Sequence, residues 1–156
     1  STTPEIYYGF QVGFDWKGLG LNAWFQGTAH STVVTDLASI YQPLYGGDKN
    51  VSKHYLENRW TPENTQARYP RLTTLENPNN YRKNSLWYRD GSFIKLRNVG
   101  VSYTIPKKVA RFSDITVSVN GTNLFSLDNI KFADPEQLEA AYPSTRVFWA
   151  GVKFNF

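Results

Sequence analysis

His30 and His54 are the only histidines in this 156-residue chain. Neither belongs to an HExxH pattern and neither has a convincing acidic partner in sequence, so no metal or acid-base role is assigned to them. The stretch "ADPEQ" places Asp134 and Glu136 in a loop where a cation could sit. It lacks the spacing of a calcium loop and reads as a solvated turn. There is no cysteine, which removes disulfides, zinc-thiolate sites and a thiol nucleophile. No GxxxxGK[ST] or GxGxxG occurs. The expectation is a protein without catalytic residues, metal or cofactor, and not an enzyme. What remains is a set of aromatic rings and arginines in one irregular stretch: Trp60, Arg68, Tyr69, Arg71, Trp87, Tyr88 and Arg89. Such rings stack on flat apolar surfaces, and guanidinium groups donate paired hydrogen bonds.

The elements that would hold these residues are strands. Five stretches alternate apolar and polar residues with period 2. The first is Ile6 to Trp16, with Ile6, Tyr8, Phe10, Val12, Phe14 and Trp16 on one face. "WKG" turns the chain into the second, Leu19 to Ala29, with Leu19, Leu21, Ala23 and Phe25 apolar. The third spans Phe93 to Ile105 and ends at "PKK"; the fourth runs Ile115 to Leu124. The fifth is the last stretch, "RVFWAGVKFNF", with Phe148, Ala150, Val152, Phe154 and Phe156 on one face. No proline interrupts these strands, as hydrogen-bonded ladders require. Between the second and third lies a long irregular section from His30 to about Leu86, with Pro43, Pro62, Pro70 and Pro78. Two short helical turns are expected there. "TDLASIY" offers Thr35 or Asp36 as an N-cap with Leu37, Ile40 and Tyr41 on one side, and "TPEN" places Pro62 at a first helical position.

Connections alternate short and long, at 16–18, 30–86, 106–114 and 126–144. In an up-and-down meander this puts short turns at one end and long loops at the other, as in outer-membrane β-barrels. An apolar strand face can be a soluble core or a lipid-facing wall, and alternation alone does not choose between a β-sandwich and a barrel. Three features favour lipid. The strands have the length needed to cross a bilayer. Aromatics sit at strand ends, at Trp16, Tyr103, Phe154 and Phe156. The polar faces carry small residues, Gly9, Gly13, Gly20, Gly100 and Gly151, which leave room for something packed on the wall. Trp24 and Trp149 point to that same side by parity, to fill the wall or pack on whatever lies against it. Lys95 and Arg97 would interrupt the third strand's apolar face near its long-loop end. Five strands cannot close a barrel or leave their edges in lipid, so the chain is expected to be the last part of a larger one. Aromatics make up 16% of the sequence, the net charge is +4, and charges of both signs are interspersed. No nucleic-acid partner is expected.

The order of "YYGF", "WFQGTA", "RWTPEN…ARYPRL", "WYRDGSFIKLRNVGVSYTIPKK", "VSVNGTNLF" and "YPSTRVFWAGVKFNF" resembles the C-terminal portion of SusC/RagA-type TonB-dependent transporters. That resemblance implies an all-β, antiparallel, up-and-down segment of about five strands from a 22-strand transmembrane barrel, with long extracellular loops and short periplasmic turns. It implies an N-terminal plug and a TonB-contacting region upstream, a SusD-like surface lipoprotein as lid, and outer-membrane lipid around the wall. The cargo would be oligosaccharide or peptide, imported across the outer membrane of a Bacteroidetes-type Gram-negative bacterium. Trp60, Arg68, Tyr69, Arg71, Trp87, Tyr88 and Arg89 become candidates for contact with cargo or lid, beside the alternative that they pack the loop. Phe148, Phe154 and Phe156 match the terminal aromatic pattern that the insertion machinery recognises. The other readings are a soluble β-sandwich that binds a ligand such as carbohydrate, and a passive porin-like barrel.

Overall fold

The computed structural model describes residues 1–35, 43–44, 49–75, 77–130, 132–138, 142 and 144–155. They fall into two compact units. One is a sheet unit, Pro4–His30 with Ser92–Asp128 and Ser144–Phe156; the other is a loop unit, Ser1–Thr3 with Ser31–Gly91 and Asn129–Pro143.

The sheet unit is one antiparallel sheet. Its strands are β1 (Ile6–Trp16), β2 (Leu19–Ala29), β5 (Phe93–Ile105), β6 (Asp114–Asp128) and β7 (Val147–Asn155), side by side in that order. Two further strands, β3 (Thr32–Val34) and β4 (Tyr88–Asp90), and a helix, α1 (Lys53–Asn58), belong to the loop unit, while α2 (Lys107–Ala110) joins β5 to β6. The strand expectations hold for β1, β2 and β5 to the residue. β6 begins one residue earlier than expected and runs four further at its far end, and β7 lies within the expected last stretch.

The β1–β2 hairpin is as tight as "WKG" implies. Lys17 and Gly18 both take positive φ, 47° and 88°, as a two-residue hairpin turn with the right twist demands. A Cβ on Gly18 would lie 2.6 Å from the Thr104 carbonyl oxygen, so glycine also lets β5 approach. The β5–β6 turn uses Pro106 as N-cap of the one-turn α2, which ends on Arg111 in the left-handed region. The backbone N–H of Lys107 donates to an Asp114 carboxylate oxygen. Both short connections lie at one end of the sheet, and the long ones leave from the other.

Register aligns the apolar residues across the sheet. Phe10 pairs with Phe25, Phe14 with Leu21, and Leu21 with Val101. Val101 then pairs with Val119, and Val119 with Ala150. The Phe10 and Phe25 rings stack at 4.9 Å. The opposite face carries Gly20, Ser102, Ser118 and Gly151 in one row, and Asn22, Gly100, Asn120 and Trp149 in the next. A Cβ on Gly100 would lie within 3 Å of the Asn22 and Asn120 amides, so glycine makes room for those two side chains.

One expectation is corrected by a bulge. Lys95 and Arg97 do not interrupt the apolar face. Arg97 is skipped in the ladders to both neighbours: Asn98 pairs with Trp24, and Leu96 with Phe25 and Phe125. The extra residue reverses the parity of β5. Leu96 therefore continues the apolar face, and Lys95 turns to the polar face opposite Gln26 and Ser126. Arg97 follows, donating from Nε to Gln26 Oε1 at 3.0 Å. The partner strand accommodates the irregularity at Asn123, whose φ is 53°.

The apolar face of this sheet is not a core. Phe10 is 48% exposed, Val119 55% and Val152 58%. A soluble sandwich would have brought those three side chains together; here they stand along one open wall.

Candidate functional site

The loop unit holds all seven ring and arginine candidates, and its local structure follows from a few polar contacts. Ser52 caps α1, its side chain accepting from the Tyr55 backbone N–H at 3.1 Å. The helix lasts six residues and ends at the extended Arg59. The chain then turns at 61–64 and returns. Arg59 bridges Tyr69 in parallel. The Tyr69 N–H donates to the Asn58 carbonyl, and Trp60 N–H to the Tyr69 carbonyl. "TPEN" is therefore a turn closed by Thr61 and Asn64, not the expected helix. Pro62 fits there because the second position of a turn needs the same φ as a first helical residue. The helix expected in "TDLASIY" falls on residues 36–41, outside the described residues, although Thr35 itself is buried and donates to the Trp87 carbonyl. β3 and β4 pair within the long section, Val33 opposite Arg89, where no strand was expected.

Four rings form the centre of this unit: Tyr55, Tyr69, Tyr81 and Trp87, with Val34, Val51, Leu72, Leu86 and Phe132 packed against them. Tyr69 stacks on Tyr55 at 4.9 Å and on Trp87 at 6.1 Å, and Trp87 stacks on Tyr81 at 5.8 Å. Their polar tips are satisfied as burial requires. Tyr55 Oη donates to the Pro70 carbonyl, and Trp87 Nε1 to the Asn80 carbonyl. Two of the candidates are themselves part of this packing. Tyr69 is 2% exposed and Trp87 0%, so their rings face other protein rings, not a solute. The remaining five reach the surface. Trp60, Arg71 and Tyr88 are exposed, and Arg68 and Arg89 half-buried.

Electrostatics couples two other candidates, Tyr69 and Arg89, and His54 to the Arg68 cation. The Arg68 guanidinium lies 5.8 Å from the Tyr69 ring centre. Burial lowers the Arg89 guanidinium from its ordinary pKa, and the charge of Arg68 lowers it further. The Tyr69 phenol is pushed up by burial, against the opposing pull of Arg68 and Arg89. Burial and then Arg68 hold the His54 imidazole below its usual value, with Glu57 acting the other way. Arg89 Nη1 donates to the Tyr88 carbonyl at 2.9 Å, and its buried Nε has no hydrogen-bond partner among the described residues. Among the described residues, Trp60 joins this group only through its backbone N–H, which donates to the Tyr69 carbonyl.

His54 was set aside in sequence, yet it is a packing residue. Its ring lies 5.1 Å from Phe132, and Nε2 is 3.2 Å from the Tyr69 hydroxyl. His30 sits at a turn with a φ of 53° and a contact to Glu5 at 3.6 Å between exposed groups. Asp134 accepts from the Glu136 backbone N–H at 2.9 Å, which makes "ADPEQ" a self-bonded turn. Among the described residues, no group of three or more His, Asp or Glu could hold a metal ion. Trp24 and Trp149 lie on the polar face of the sheet, 44% and 47% exposed. Phe148 and Phe154 lie on the apolar face, 66% and 48% exposed; Phe156 is outside the described residues.

No family model matches the chain. Two curated proteins of Formosa agariphila do. TonB-dependent receptor P26 is 25% identical over the whole chain, and TonB-dependent receptor P3 is 26% identical over 99% of it. The whole chain also superposes on the RagAB peptide importer in its "open-open" state, with a TM-score of 0.70 and 26% identity. The "closed-closed" state gives 0.72 at 24% identity, which speaks to the fold. The chain fits a segment of a TonB-dependent receptor of the SusC/RagA type. It spans 17% and 16% of the two curated relatives and 18% of the solved importer chain. The receptor-like segment contains no helix, among the described residues, long and apolar enough to cross a membrane; a barrel crosses with strands.

Proposed function

We propose that the chain is the C-terminal wall and loop portion of a TonB-dependent outer-membrane importer, with 22 strands in the complete barrel. The observation that carries this reading is the open apolar wall, in which Phe10, Val119 and Val152 are each about half exposed. An 11-residue strand at ~3.3 Å per residue extends ~36 Å, and a 45° tilt projects ~26 Å on the membrane normal, close to the ~25 Å apolar band of such barrels. The outer edges of β1 and β7 need partner strands, because lipid leaves no backbone group unpaired. The rest of the barrel supplies them, and a plug lies against the polar face. The barrel stands in the outer membrane of a Bacteroidetes-type bacterium.

In this reading cargo binds above the plug and a SusD-like lipoprotein closes over it. Force from the TonB complex, acting on the region upstream of this chain, then displaces the plug. The cargo is an oligosaccharide or a peptide; the peptide alternative is supported by the likeness to a peptide importer. Trp60, Arg68, Arg71, Tyr88 and Arg89 offer rings and guanidinium groups to cargo or lid, and Tyr69 and Trp87 support them from beneath. Phe148, Phe154 and Phe156 form the assembly signal.

The test places single cysteines in the full-length receptor, at Val119, Val152 and Ser118, and labels each with a fluorophore. Bromine-bearing lipid chains should quench the label at positions 119 and 152 and leave 118 bright. Equal quenching at all three, or none, rules out the wall. Uptake should cease in a strain lacking TonB; persistence would make the protein a passive pore.

A further inference from the structure

The short-turn end of the sheet carries a feature that the import reading does not use. Trp16, Lys17, Leu19 and Tyr103 line a cleft of about 350 Å³. Its walls belong to the apolar face, since Leu19 pairs with Trp16 on one side and Tyr103 on the other. Lys17 Nζ stands 4.8 Å from the Trp16 ring centre, so a cation is held at the rim of an apolar notch. The neighbouring β5–β6 turn repeats this chemistry. Lys107, Lys108 and Arg111 are exposed, and so are Val109 (69%) and Phe112 (56%). Phe112 stacks on Phe154 at 6.4 Å, which continues the apolar wall onto the turn. The nearby carboxylate of Asp114 is occupied by the Lys107 backbone N–H. Among the described residues, no ion pair is made by Lys17, Lys107, Lys108 or Arg111.

Exposed apolar groups flanked by unpaired cations match a bilayer interface whose headgroups are negative. We infer that this end of the wall is a binding site for anionic phospholipid headgroups. The phosphate lies among Lys17, Lys107 and Lys108, and the acyl chains run up the face from Trp16 and Phe112. The inference rests on the membrane reading above, and it adds headgroup selectivity, which an apolar wall alone does not provide.

The experiment uses full-length receptor in nanodiscs of phosphatidylethanolamine mixed with phosphatidylglycerol, and native mass spectrometry counts the lipids retained. The wild type should hold phosphatidylglycerol above its bulk fraction. Combined Lys17→Gln, Lys107→Gln and Lys108→Gln should lower that preference about a hundredfold, at about fivefold per cation, and 0.5 M salt should weaken it likewise. Lys153→Gln, on the polar face opposite Thr116, should change nothing. If the triple variant does not assemble, Lys108→Gln alone is read for its fivefold loss. Wild-type preference in the charge variants, or equal retention of the two lipids, overturns the inference. Should that happen while the labels at 119 and 152 remain quenched by lipid, only the headgroup site fails. Loss of that quenching would instead remove the wall itself.

Discussion

Replacing Trp87 by Ala separates packing from ligand contact in the loop unit. Trp87 is fully buried, stacked on Tyr69 and Tyr81, and bonded from Nε1 to the Asn80 carbonyl. Truncating a buried Trp costs ~3–5 kcal/mol through lost transfer energy and the cavity left behind. A body of roughly 80 residues has about 4–12 kcal/mol of stability to lose, at ~0.05–0.15 kcal/mol per residue. Trp87→Ala therefore takes about a quarter or more of what holds the loop unit together. Trp87→Phe keeps a stacking ring and loses mainly the indole hydrogen bond and some volume, about 1–2 kcal/mol. Trp60→Ala removes a ring that is 37% exposed and should cost under about 1 kcal/mol. The assay is hydrogen exchange and limited proteolysis of the purified full-length receptor, with heat-modifiable migration as the control for an intact barrel. The expected order of loop protection is wild type, then Trp60→Ala, then Trp87→Phe, with Trp87→Ala last and the barrel unchanged in all four. A Trp87→Ala loop as protected as the wild type would refute the packing argument and return Trp87 to the ligand candidates.

Gly18→Val should destabilise the barrel in urea unfolding by about 1–3 kcal/mol, because the residue needs a φ of 88° and its Cβ would meet the Thr104 carbonyl; Lys17→Asn should be neutral or better, since Asn tolerates positive φ. Val119→Arg on the apolar face should cost ~2–4 kcal/mol in lipid, against near zero for Ser118→Arg on the polar face, as read from folded barrel in outer-membrane fractions. The pH dependence of the loop unit follows from His54, whose folded pKa lies below the ordinary 6.5, first by burial and then by Arg68. Below pH 6.5 the unfolded imidazole binds the proton more readily than the folded one, so loop protection should fall as pH drops through 6.5 towards the folded value and be constant above it. His54→Gln should flatten the profile, and an unchanged profile would disprove the assignment.

Period-2 alternation found β1, β2 and β5 to the residue, because each alternates over most of its length and is bounded by turn residues. It misjudged Lys95 and Arg97 because parity is a local count. One bulged residue at Arg97 reverses every side chain beyond it, and nothing in "FIKLRNVG" marks where the ladder skips. The sign of an error was nevertheless present: with no bulge, the lysine and the arginine would both stand on an apolar wall. A charge that breaks a face at an otherwise regular strand is better explained by a register shift than by a shortened membrane crossing.

The loop unit was illegible for a different reason. Its core is made of Tyr55, Tyr69, Tyr81 and Trp87, which come from a capped helix, a bridge residue and two turns, the second just before β4, so no single period connects them. Tyr is as well suited to surface contact as to burial, and only its hydroxyl partner decides. Tyr55 finds the Pro70 carbonyl and Trp87 the Asn80 carbonyl, both supplied by chain distant from any strand. Of the five candidates left at the surface, Arg68 and Trp60 touch this buried set, both at Tyr69. Arg68 is placed by Tyr69 and Arg89 by the Val33 pairing. A substitution that spares the rings and removes only the Arg68 charge should thus leave loop protection intact and raise the His54 pKa. A change in cargo uptake from that same variant would be a ligand effect, because the packing beneath it has not moved.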